Sequence, residues 1–161
     1  MKILYVDMQS ILYSDSYLEK NGDVREVFDS KKYYPSKNAF LESVRPDREG
    51  AQRLACAAQD SGLFIYPIGT VYSRDLLIKH EIFSEDQLAP FIDLRLWGAM
   101  DDGDPFRIMN THSRALEAQW FVCGDIFSDD LAKYFPKRFL RSQLGSGVTD
   151  ELIMQIKALR F

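Results

Sequence analysis

The segment KILYV near the start of the chain is a continuous apolar run with β-branched and aromatic members, and it ends on a carboxylate, Asp7. A strand without a polar face is buried on both sides, so this one belongs in the middle of a parallel sheet. In such sheets ligands gather at the carboxyl ends of the strands, which puts Asp7 where chemistry is expected.

The rest of the chain alternates in the same way. RPDREGAQRLACAAQDSG has Pro46 at an early helical position, Leu54, Ala55 and Ala58 at helical spacing and Gly62 as a stop. LFIYPI then reads as a second buried strand ending at Gly69 and Thr70, and VYSRDLLIKHEI as the start of a helix. FIDLRLW is a candidate third strand, GAMDDGDP a loop, 107–119 a helix, WFVCG a fourth strand and SDDLAKYF a short helix. In the tail, Thr149 is a natural N-cap for a helix with Leu152, Ile153, Ile156 and Leu159 on one stripe. Strands alternating with helices predict an α/β fold: a three-layer Rossmann-like parallel sheet with helices on both faces, in one domain over 1–161. The stretch 14–44 breaks the pattern: it is polar, with paired aromatics and a turn signal at Asn21, Gly22 and Asp23. It reads as a flap or hairpin over the mouth of the sheet, or else a surface meander. Its tyrosines, with Tyr13, Tyr17, Tyr33 and Tyr34 among them, are expected to pack rather than to stack on a base.

Composition removes several function classes. No apolar run approaches the roughly 18 to 20 residues needed to cross a bilayer. The first residues lack a basic stretch, apolar segment and cleavage site, so a cytoplasmic protein without a membrane partner is expected. Cys56 and Cys123 both lie among apolar neighbours and read as buried, reduced thiols; with only His80 and His112 besides, a zinc site is not expected. The net charge of −4 with dispersed cations argues against strong nonspecific attraction to nucleic acid, but not against a phosphorylated ligand.

Three strand ends carry polar groups: Asp7, Thr70 and Asp125. Asp129 follows Asp125 by one helical turn, giving GDIFSD. If these strands are neighbours, Asp7, Asp125 and Asp129 form an oxygen-only pocket suited to Mg²⁺, which takes one or two carboxylates plus phosphate and water. Each residue also has a structural reading: a turn former at Asp7, a helix cap at Thr70, a solvated helix start at Asp125 and Asp129, and surface cations at Arg107 and Arg114.

Taken in order, YVDMQSIL, IGT, Arg107 and CGDIFSDD resemble the haloacid dehalogenase (HAD-like) superfamily of phosphotransferases. RPDREGAQRLACAAQDSGLFIYPIGTVYSR and GVTDELIMQIKAL are similar to its small members without a large cap domain, some of them linked to RNA repair. The resemblance implies that Asp7 attacks phosphorus to form an aspartyl-phosphate, and that Asp7, the Gln9 carbonyl, Asp125 and Asp129 hold Mg²⁺. Thr70 would then hold a phosphoryl oxygen and Arg107, with Arg114 as rival, would neutralise charge. Ser10, Gly69, Arg74 and Arg114 would line the substrate, a phosphorylated small molecule or a nucleic-acid end.

Two positions depart from that pattern. Gln9 stands where these phosphatases carry a second aspartate, and glutamine exchanges no proton near neutral pH. Loss of general acid–base help slows turnover by about 10²- to 10⁴-fold. Ser10 replaces the glycine that commonly follows. Two other readings stay open: a degenerate HAD-like protein that binds a ligand without turnover, and a PIN-like metal-dependent nuclease with Asp93 or Asp101 completing the acid set.

Overall fold

The computed structural model describes residues 1–31, 36–69, 71–93, 104–126 and 129–160. KILYV forms β1 (Lys2–Val6), LFIYP forms β2 (Leu63–Pro67) and QWFVC forms β3 (Gln119–Cys123); a two-residue strand, β4 (Phe139–Leu140), completes a parallel sheet ordered β2-β1-β3-β4. In register, Val6 faces Pro67 on one side and Cys123 on the other, so the ends of β1, β2 and β3 lie level. β4 has no apolar run of its own and could not be read from the sequence; it pairs only Val122 with Phe139 and Cys123 with Leu140.

β1 is buried on both faces, as its unbroken apolar pattern requires. Leu4 and Val6 pack on one side with Leu54, Ala58, Leu152 and Ile156, and Ile3 and Tyr5 on the other with Met109, Val122 and Phe139. The first side is covered by α1 (Met8–Leu12), α5 (Arg48–Asp60) and α9 (Asp150–Lys157); the second by α7 (Pro105–Ala115) and α8 (Asp129–Tyr134). This is a mixed α/β fold with a small parallel sheet between helices.

Local chemistry sets the helix ends. Asp47 caps α5 by accepting from the Gly50 amide at 2.9 Å, and Gly62, at φ +75°, ends it. Thr149 accepts from the Leu152 amide at 3.1 Å and starts α9 as its sequence predicts. α7 begins at Pro105 behind the cap Asp104, and α6 (Arg74–Lys79) behind Ser73. α5, α7 and α9 run back from the carboxyl ends of the strands. The Lys2 ammonium donates to the carbonyl of Leu159 (2.9 Å), which brings the segment after α9 to the start of β1.

Three expectations need correction. The stretch 14–44 holds no hairpin among its described residues but three helices: α2 (Asp15–Lys20), α3 (Gly22–Lys31) and α4 (Lys37–Ser43). Ser14 and Ser36 act as N-caps, and the Asn21–Gly22 turn signal joins two helices instead of two strands. The aromatics Tyr13, Phe28 and Phe40 form one cluster, with Tyr13 and Phe40 edge to face at 5.1 Å. Tyr13 and Tyr17 donate their hydroxyls to the carbonyls of Val44 and Arg45, so both pack as expected, whereas Tyr33 and Tyr34 lie outside the described residues. In FIDLRLW, residues 91–93 belong to no strand and 94–97 lie outside the described residues. Among the described residues of this region, the chain meets the other edge of β2 at a parallel bridge from Ile65 to Leu88, just before Pro90, which has no amide to extend a ladder. Lastly, Cys56 is exposed, because the helical period turns it away from the face carrying Leu54, Ala55 and Ala58; Cys123 is buried, and both thiols are free.

Candidate functional site

The ends of β1 and β3 are joined beyond the last ladder pair. The Asp7 amide donates to the Cys123 carbonyl (3.1 Å), and the Ser10 hydroxyl donates to the Asp7 carbonyl (2.9 Å) while accepting from the Asp125 amide (3.1 Å). Gly124, at φ +108°, makes this approach possible: a Cβ there would stand 2.7 Å from that of Asp7 and 2.8 Å from the Ser10 hydroxyl. Ser10 therefore clamps two strand ends, a role for which glycine has no atom.

Asp7 and Asp125 are brought together here. Burial pushes the Asp7 carboxyl above the usual range and the nearby Asp125 charge adds to this, while the Ser10 hydroxyl and the amides of Gln9 and Ser10 act against it. Asp125 is raised in turn, first by burial and also by Asp15, and is moderated by the Gly145 amide, which donates to its Oδ2 at 3.1 Å. Asp129, by contrast, is exposed in the first turn of α8, where an acid suits the helix dipole. Among the described residues no three His, Cys, Asp or Glu side chains are placed to hold a metal ion, so the expected triple of Asp7, Asp125 and Asp129 is not assembled.

Gln9 is held by a residue that the sequence reading missed. Tyr72 donates its hydroxyl to Gln9 Oε1 at 2.5 Å; burial pushes that phenol up, and the Asp7 charge pushes it further. The backbone carbonyl of Gln9 accepts from the Tyr13 amide at 3.0 Å, closing the single turn of α1. Lys37, at the start of α4, lies 5.6 Å from the Tyr72 ring centroid and 4.7 Å from that of Phe40, with its pKa lowered by burial. The sequence marks none of Tyr72, Lys37 or Asp15: Tyr72 sits in a stretch that reads as a helix start, and Lys37 and Asp15 in the one that reads as a flap or a surface meander.

The remaining candidates separate along the molecule. Gly69, at φ +84°, lies at the end of β2 with the Pro105 side chain 3.9 Å from where its Cβ would be, so the start of α7 adjoins the crevice. Arg107 stands in that first turn; Arg114 lies about 10 Å farther along the axis, toward the amino ends of the strands. Arg74 donates to the carbonyls of Ala89 (2.8 Å) and Glu85 (3.4 Å), which fixes the segment after α6. Thr70 and Asp101 lie outside the described residues, and Asp93 ends no strand. Among the described residues no helix is long and apolar enough to cross a membrane.

Comparison of the chain with protein-family models, with curated proteins and with solved structures finds no match.

Proposed function

We propose that the chain is a slow, Mg²⁺-dependent phosphohydrolase or phosphotransferase of HAD-like type with Asp7 as its nucleophile. One observation carries this reading: Asp7 and Asp125 sit at adjoining strand ends, close enough for one charge to raise the pKa of the other. Two half-buried like charges repel, and a divalent cation relieves that repulsion. Mg²⁺ needs only one or two carboxylates and completes its shell with water and phosphate, so this pair fits an ion that Asp7 and Asp125 would hold. The Gln9 carbonyl, bonded to the Tyr13 amide, and Asp129, exposed in the first turn of α8, are not needed to complete that shell. When bound, the ion would withdraw charge from the phosphoryl oxygens.

The chain's own groups would do the rest. A carboxylate oxygen of Asp7 bonds to phosphorus as the bond to the leaving oxygen breaks, and the leaving group departs as the anion because Gln9 has no proton to give. Arg107 at the mouth, and Thr70 by its place in the sequence, would steady the phosphoryl group. Substrates with good leaving groups are therefore favoured, whether phosphorylated small molecules or nucleic-acid ends.

The test is release of phenolate from an activated aryl phosphate with Mg²⁺, together with a phosphate-mass adduct on the intact protein. Asp7→Asn should abolish both, and equal activity in that variant would sink the reading. A binding protein without turnover is favoured by the Tyr72 bond that already occupies Gln9; phenolate release only after Gln9→Asp would establish it. Cleavage of single-stranded RNA with Mn²⁺ would point instead to a PIN-like nuclease.

A further inference from the structure

At the carboxyl end of the sheet, beside the two carboxylates, a polar cleft of about 500 Å³ opens between α2, the first turns of α5 and the loop before α9. We propose that this cleft binds a chain of phosphates, either the oligophosphate of a nucleotide or the backbone of a single strand, and leads its end to Asp7. The second half rests on the proposed function; the first does not.

Its size falls in the range of about 300–1,000 Å³ usual for ligand sites. Lys20, Arg45, Arg48 and Arg53 line it, against the acids Asp47 and Glu49, and this concentration of cations runs counter to a net charge of −4 for the whole chain. The Asp47 carboxylate is turned to the Gly50 amide as the cap of α5, whose positive end faces the same space. Two guanidinium groups are held in place: Arg48 donates to the His80 carbonyl and Arg53 to Asp150, each at 2.6 Å. With five donors apiece, both keep others for an anion. Arg45 reaches Asp23 only at 3.7 Å, with both side chains more than half exposed, a pair that a phosphate can displace. Lys20 has no ion-pair partner among the described residues.

The cleft and the carboxylates share a thin wall. Ser14 and Ser146 line the cleft, while the neighbouring Gly145 donates its amide to Asp125, and Gly147 is packed so closely that a Cβ would stand 2.7 Å from the Ser14 hydroxyl. A crevice formed by Asp7 and Asp125 repels anions. A cationic groove opening beside it supplies the attraction that a phosphorylated ligand needs to approach.

The test is fluorescence anisotropy of a labelled single-stranded oligonucleotide and of a labelled ATP, each between roughly 50 and 200 mM salt, a range over which binding to phosphates weakens steeply. Lys20→Glu with Arg45→Glu should weaken binding at least tenfold and flatten the salt slope by about 0.7 for each strand phosphate no longer neutralised. Lys157→Glu at the far end of α9 should change neither. Whichever ligand binds tighter identifies the source of the phosphates. If both affinities survive the double substitution, or neither ligand binds the wild type at the lowest salt, the proposal is overturned. The milder pair Lys20→Ala and Arg45→Ala repeats the measurement if the charge reversals unfold the chain. Anisotropy reads the cleft without any turnover, and phenolate release by the wild type reads Asp7 by itself, so failure of the cleft and failure of the Asp7 chemistry are separate results.

Discussion

Gly124→Ala should destabilise the protein well beyond the ordinary cost of alanine at a left-handed position. At Gly62, φ is +75° and nothing lies within 4 Å of a new Cβ, so the substitution there meets only backbone strain. That strain is about 1–2 kcal/mol, reduced by the about 0.4–1 kcal/mol that alanine gains by restricting the unfolded chain. Gly62→Ala should therefore cost about 1 kcal/mol. At Gly124 the same strain applies at φ +108°, and the methyl would also meet the Asp7 Cβ at 2.7 Å, the Ser10 hydroxyl at 2.8 Å and the Asp7 amide nitrogen at 3.2 Å. Two of these atoms belong to the end of β1 or its side chain and cannot rotate away, so an overpacking cost of about 1–3 kcal/mol is added. The sum is about 2–4 kcal/mol, or a melting point lower by about 2–4 °C for each kcal/mol in a chain of this length. Urea unfolding of wild type and both variants measures it, with unchanged m-values as the check that only stability has moved. If the two variants agree within about 0.5 kcal/mol, the strand ends do not approach as described and the pairing of Asp7 with Asp125 loses its basis.

Asp7→Asn should raise the melting temperature at pH 7: a carboxyl with a raised folded pKa favours folding only while protonated, and that contribution is lost as pH rises through the folded value. The gain should shrink toward pH about 4, the unfolded pKa, and a constant difference across that range would refute it. His112 is buried and neutral, donating from Nε2 to the Pro90 carbonyl (2.9 Å) and accepting from the Tyr5 hydroxyl (2.7 Å), and burial lowers its pKa. Stability should thus fall as pH drops below about 6.5 and through the lowered folded value, and denaturation of His112→Gln across pH 7 to 4 should show a flatter slope. The Ser61 hydroxyl is buried without a hydrogen-bond partner among the described residues; Ser61→Ala should be neutral or stabilising in a thermal melt, since it removes an unsatisfied group. Tyr72→Phe should cost about 1 kcal/mol in urea unfolding, the value of the bond to Gln9.

The regular elements were legible because burial on a sheet or helix face leaves a period in the sequence. The α5 and α9 stripes carry theirs, KILYV and LFIYP show instead the unbroken apolar run of a strand inside a sheet, and Thr149 and Gly62 mark ends by chemistry that acts within a few residues. β4 left no such trace, because two residues paired to a neighbour need no pattern. The hairpin expected in 14–44 gave way to helices because Phe28 of α3 and Phe40 of α4 pack on each other and on Tyr13, a contact that pairwise spacing along the chain does not show. At the candidate site, Asp7 and Asp125 could be placed from strand ends alone. Tyr72 could not, since its bond to Gln9 joins residues 63 positions apart. Arg107 and Arg114 looked equivalent in the sequence; they differ only because a helix carries them to opposite ends of the sheet.

The bond from Lys2 to Leu159 has a practical corollary. Leu159 is held at the amino end of β1, the opposite end of that strand from Asp7, so a fluorophore or an affinity handle placed beside either partner leaves the Asp7 side open to bulk solution.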